Sequence, residues 1–67
     1  MAEQMEPLAV SAVEAARLLG VSKPTVYELM NQSDFPSFKL GRRTLISVDG
    51  LRDWVRVQAE KGSVERI

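Results

Sequence analysis

Ser11-Ala12-Val13-Glu14-Ala15-Ala16-Arg17-Leu18-Leu19-Gly20-Val21-Ser22-Lys23-Pro24-Thr25-Val26-Tyr27 is the stretch that decides how this chain folds. A serine followed three residues later by glutamate is a helix-start signature, because each side chain can satisfy a backbone amide that the first turn leaves free. Ser11 and Glu14 therefore open a first helix as a capping box. Ala12 to Leu19 are nearly all good helix formers, with Val13, Ala16 and Leu19 read as one apolar stripe. Gly20 stands where a left-handed C-terminal residue is wanted, so the first helix spans about two turns. Ser22 is a second N-cap. Lys23 and Pro24 follow in a first turn where a missing amide proton costs little.

The second helix is expected to run to about Gln32, with Val26, Leu29 and Met30 inward and Lys23, Tyr27, Glu28 and Asn31 on or near the opposite side. Asn31-Gln32-Ser33-Asp34 before Phe35-Pro36 breaks that pattern, since the residue preceding a proline is pushed toward extended geometry. Phe35 is expected to fold back onto the core. Phe38-Lys39-Leu40, Gly41-Arg42-Arg43 and Thr44-Leu45-Ile46 read as a β-hairpin, with strand formers flanking a glycine-containing turn. A lone hairpin is marginal and must lean on the helices. Ser47 caps a third helix from Val48 to about Glu60, with Asp49 favourably placed in the first turn and Gly62 beyond the end. Leu51, Trp54, Val55 and Gln58 follow its 3.6-residue spacing, and Trp54, Phe35, Phe38 and Met30 are assigned to the core. Arg52, Asp53 and Arg56 are read as a solvated face.

With 67 residues, the chain has room for one small domain, expected over residues 8–60 between flexible segments at 1–7 and 61–67. It contains neither cysteine nor histidine, which removes disulfides, thiolate zinc sites and the usual residues of nucleophilic and metal-assisted hydrolysis. No enzymatic activity, metal or cofactor is expected. No apolar run approaches the roughly 20 residues of a bilayer span, and Met1 to Pro7 lacks the basic and apolar regions of a signal peptide, so a cytoplasmic protein is expected.

Nine basic and nine acidic side chains cancel, but their distribution is uneven. Residues 1–34 hold five acids (Glu3, Glu6, Glu14, Glu28, Asp34) against two bases (Arg17, Lys23). Residues 35–48 hold Lys39, Arg42 and Arg43 and no acid. For a small domain such a basic segment says more about partners than the net charge does.

Two short helices meeting at a glycine bend have the form of a helix-turn-helix, with Ala16 small enough for the helices to approach and Val26 and Leu29 returning to meet the first helix. In the DNA-reading form, the N-terminal turn of the second helix enters the major groove and presents polar groups to base edges. Ser22, Lys23, Thr25, Tyr27, Glu28 and Asn31 are the candidates. Ser22 and the free amides at the helix start can hold a phosphate, and Lys23 suits a phosphate or guanine. Tyr27 has two readings: contact with phosphate or sugar, or a half-buried aromatic at the helix interface. Asn31 reaches a base or caps the helix end. Glu28 is repelled by phosphate unless it accepts from a cytosine amino group or pairs with a cation. On the hairpin, Lys39, Arg42, Arg43 and Thr44 form the candidate wing, with the two arginines projecting together at the tip; arginine suits phosphate and the narrow minor groove.

Leu8-Ala9-Val10, Glu14 to Ser22, Thr25-Val26-Tyr27, Asp34-Phe35-Pro36, the Gly41-Arg42-Arg43 turn and the final helix with Trp54 together resemble the excisionase-type helix-turn-helix domains, which are related to the MerR DNA-binding domain and to AlpA-type regulators. The resemblance covers residues 8 to about 60. It implies a mainly α, winged helix-turn-helix in the order α-α-β-β-α, whose second helix reads the major groove and whose hairpin touches the minor groove or backbone. It also implies binding to double-stranded DNA, either as an architectural factor beside an integrase or recombinase or as a transcriptional regulator of a phage or mobile element. Carried over by position, Ser22, Lys23, Thr25, Tyr27 and Glu28 fall on the recognition helix, and Arg42 and Arg43 on the wing. Many relatives are basic overall and often carry a base where Glu28 stands, so a lone neutral domain is expected to need cooperative self-association or a partner on DNA. Alternatives are a protein-interaction module on the same fold and a terminase small-subunit-like recognition domain.

Overall fold

The computed structural model describes residues 7–62; residues 1–6 and 63–67, in the two segments expected to flank the domain, lie outside them. The element order is β1 (Ala9–Val10), α1 (Ala12–Leu19), α2 (Lys23–Met30), β2 (Ser37–Leu40), β3 (Arg43–Ser47) and α3 (Val48–Lys61). The expected order α-α-β-β-α is present, mostly helical and with an antiparallel hairpin. One element is added: β1 pairs with β3, so the sheet has three strands in the order β1-β3-β2.

Each helix begins where its serine stands. Ser11, Ser22 and Ser47 are all extended, and each side chain accepts the amide three residues on. The capping box forms only by half, because the Glu14 carboxylate engages the Arg17 guanidinium, including Nε at 3.3 Å. α1 ends at Gly20 with φ 76°. There Gly20 N–H donates to the Ala16 and Arg17 carbonyls and Val21 N–H to Ala16, closing the last turn while reversing the chain. α2 is shorter than expected. It stops at Met30, with Asn31 as a C-cap in right-handed geometry and its N–H bonded to the Glu28 carbonyl.

Val10, Ala12, Ala15, Ala16, Val26, Leu29, Phe35, Ile46 and Leu51 form the buried core, with Leu19, Met30, Val48 and Trp54 partly buried against it. Three expected core positions are corrected. Val13 is 49% exposed, because the inward arc of α1 is Ala12, Ala15, Ala16 and Leu19, and small side chains there allow close packing on α2 and β3. Phe38 is 42% exposed, since alternation along β2 turns it away from the face that Ile46 buries. Val55 is 42% exposed, because α3 lies at the margin of the core and buries a line through Leu51 and Trp54.

The first turn of α3 sits on Pro36. A Cβ on Gly50 would come within 2.6 Å of Pro36 Cβ, so glycine is required here by space. This contact brings the chain after α2 against the start of α3, and Ser47 N–H donates to the Pro36 carbonyl at 2.9 Å beside it. The hairpin is thereby anchored at its base.

Candidate nucleic-acid interface

Val26 and Leu29 are buried in α2, which fixes its opposite side outward, and Lys23, Tyr27, Glu28 and Asn31 are exposed there. Tyr27 is 53% exposed and so presents its ring and hydroxyl to solvent. Thr25 is half-buried. Its hydroxyl lies 2.9 Å from Ser22 Oγ, and Ser22 Oγ also accepts Thr25 N–H at 3.4 Å.

This cap narrows what the helix start can offer an anion. Pro24 has no amide proton, Thr25 N–H is held by Ser22 Oγ, and Val26 N–H bonds to the Ser22 carbonyl. Lys23 supplies the remaining first-turn amide together with its ammonium group, so anion contact concentrates at this one residue. Toward the C-terminal end, Glu28, Asn31, Gln32, Ser33 and Asp34 line a shallow polar depression. Positive charge therefore stands at the start of the outward face and carboxylates at its end, which favours approach of a polyanion to the N-terminal turn.

The hairpin pairs Ser37 with Ile46, Phe38 with Leu45, Lys39 with Thr44 and Leu40 with Arg43, leaving Gly41 and Arg42 as a two-residue loop. Gly41 has φ 63° and no non-glycine residue has a positive φ among those described, which is the pattern of a type II′ turn. The expectation that Arg42 and Arg43 project together is corrected. Arg42 lies in the turn, whereas Arg43 is the first residue of β3 and alternates with Thr44. Lys39 and Thr44 share the face of Ser37 and Ile46, and Leu40 and Arg43 share the face of Phe38 and Leu45. Lys39, Arg42 and Arg43 are exposed, and Thr44 is half-buried.

Sequence reasoning missed Leu40, which is 61% exposed beside the turn. Its signal was available, because an aliphatic residue immediately before a Gly-Arg-Arg turn on a two-stranded edge has nothing to pack against.

The cations divide into two groups. Arg17 pairs with Glu14, Arg52 with Asp49 at 3.8 Å and Arg56 with Asp53 at 2.5 Å, each within its own helix. The hydrogen bond from Arg17, reinforced by its charge, holds the Glu14 carboxyl below its ordinary pKa and raises that of Arg17. Lys23, Lys39, Arg42 and Arg43 make no ion pair among the described residues. Apart from Lys61 in the last turn of α3, the described cations without an ion pair thus stand at the start of α2 and on the hairpin.

Those features define a domain built around a helix-turn-helix with a hairpin behind it. The helix-turn-helix domain family matches residues 10–58, and the chain belongs to that family. No curated protein and no solved structure matches the chain. Membership of the family supports binding to DNA. No helix among the described residues is long and apolar enough to cross a membrane.

Proposed function

We propose that this chain binds double-stranded DNA sequence-specifically, with the N-terminal half of α2 in the major groove and the β2–β3 hairpin as a wing. Lys23, Tyr27, Glu28 and Asn31 face the bases and backbone, with Ser22 and Thr25 shaping the helix start. Lys39, Arg42, Arg43 and Thr44 serve the wing. The observation that carries this reading is the division of the described cations: the other described arginines are matched by carboxylates on their own helices, whereas Lys23, Lys39, Arg42 and Arg43, like Lys61 at the C-terminal end of α3, have no such match, and the first four cluster at the start of α2 and on the hairpin.

The role that fits a small domain of this kind is an excisionase-like architectural factor or a transcriptional regulator of a phage or mobile element. With zero net charge, one copy neutralises few phosphates, so useful affinity requires neighbouring copies on repeated sites or an integrase-class partner. The reading is tested by anisotropy titration of a duplex recovered from a random-sequence pool, repeated over a range of salt. Binding is expected to weaken steeply with salt, and Arg42→Ala/Arg43→Ala is expected to flatten the slope by about 0.9 per lost phosphate contact. A salt-independent affinity, or a double variant that binds as the parent does, overturns it.

A further inference from the structure

The register of the hairpin carries a consequence for how the wing engages DNA, on the reading that this chain binds a duplex. Directly paired residues of an antiparallel ladder share a face, and successive residues alternate. Lys39 therefore lies on the same face as Thr44 and Ile46, whereas Arg43 lies with Leu40 on the other, and Arg42 occupies the turn between them. The three wing cations point to two sides and a tip, and none has an ion-pair partner among the described residues. Such a distribution is poorly suited to lying flat on one strand's backbone, where one face would carry its charge into solvent.

A ribbon bearing side chains on both faces is roughly 10 Å thick, too thick for a minor groove roughly 6 Å wide. The turn is narrower, and a single arginine side chain fits the groove and is favoured by its negative potential. The ribbon then halts at the rim with one face toward each wall, and the two walls belong to opposite strands. We propose that the wing straddles the minor groove: Arg42 enters it, while Lys39 and Arg43 contact phosphates of opposite strands. Leu40, on the Arg43 side and 61% exposed, packs against deoxyribose on that wall, so the two sides differ in chemistry as well as strand.

The test is ethylation interference on each strand of a duplex recovered from a random-sequence pool with the full chain. Parent, Lys39→Ala, Arg43→Ala and Leu40→Ser are compared, with circular dichroism as a control for folding. Lys39→Ala is expected to erase the wing-proximal signal on one strand and Arg43→Ala on the other, each lowering the salt slope by about 0.9. Leu40→Ser is expected to weaken binding several-fold with the salt slope unchanged. Loss on the same strand in both cation variants, or loss in neither, overturns the straddling wing while leaving DNA binding intact. Failure of the parent chain to select any duplex overturns the reading beneath it.

Discussion

Phe35 and Trp54 meet edge to face, their ring centroids 5.0 Å apart and their planes at 85°. This geometry sets the positive edge of one ring against the negative face of the other, which adds to the apolar burial of both. It also joins the loop after α2 to the second turn of α3. Phe35 is buried and Trp54 partly so. Truncating either ring to leucine is expected to lower stability, and a double-mutant cycle should return a coupling of about 0.5–1.5 kcal/mol. Urea unfolding followed by the emission of the single tryptophan measures it in the Phe35 variant, and circular dichroism serves for the others.

Gly50→Ala is expected to destabilise the fold even though alanine is the better helix former by about 1 kcal/mol. The added methyl meets the Pro36 ring at 2.6 Å, and a proline ring cannot rotate aside. Thermal melts should show a lower midpoint for Gly50→Ala, and a double-mutant cycle with Pro36→Gly, which removes the contacted Cβ, should show that Gly50→Ala costs less in the Pro36→Gly background than in the parent. A higher midpoint would mean that the α3 start can lift from Pro36 at no cost.

Glu14 should titrate below the ordinary glutamate range, because its ionised form accepts hydrogen bonds from Arg17. A carboxyl whose folded pKa is depressed stabilises the fold above its unfolded pKa and loses that contribution as pH falls through the folded value. The pair is exposed, so the effect on stability is small. Carboxyl NMR titration is the direct measurement, and Arg17→Ala should return Glu14 upward toward its ordinary value.

Glu28 stands exposed on the outward face of α2 without an ion-pair partner among the described residues. Glu28→Gln is expected to tighten binding to all duplexes by a similar factor, with the gain shrinking as salt rises. A gain confined to sites with one particular base pair replaced would instead assign Glu28 to a cytosine amino group.

Much of this architecture was legible because its signals are local. Ser11, Ser22 and Ser47 mark three helix starts, Gly20 marks the bend, and Gly41 marks the hairpin turn; each acts on its immediate neighbours. Positions that depend on distant packing were read less well. Val13, Phe38 and Val55 are apolar at helix- or strand-compatible spacing, yet which side is inward was decided by where α1, β2 and α3 lie against one another. β1 escaped because two residues carry no periodicity, and its existence depends on pairing with Ser47 and Ile46 far along the chain. The candidate site was legible in composition, down to the residues exposed on α2. The division of Lys39 and Arg43 between two faces emerges only from strand register.

Ile46 is fully buried and pairs with Val10 on one side and Ser37 on the other, whereas β1 reaches no farther along β3 than this rung. From Phe38 to Leu45 the two strands pair only with each other, so in its ladder the ribbon is a cantilever clamped at one end. Amide hydrogen exchange should quicken step by step from that clamp to Gly41. On the proposed reading, a free end that bends about a fixed root would let the wing conform to duplexes whose groove dimensions differ, while α2 keeps its seat.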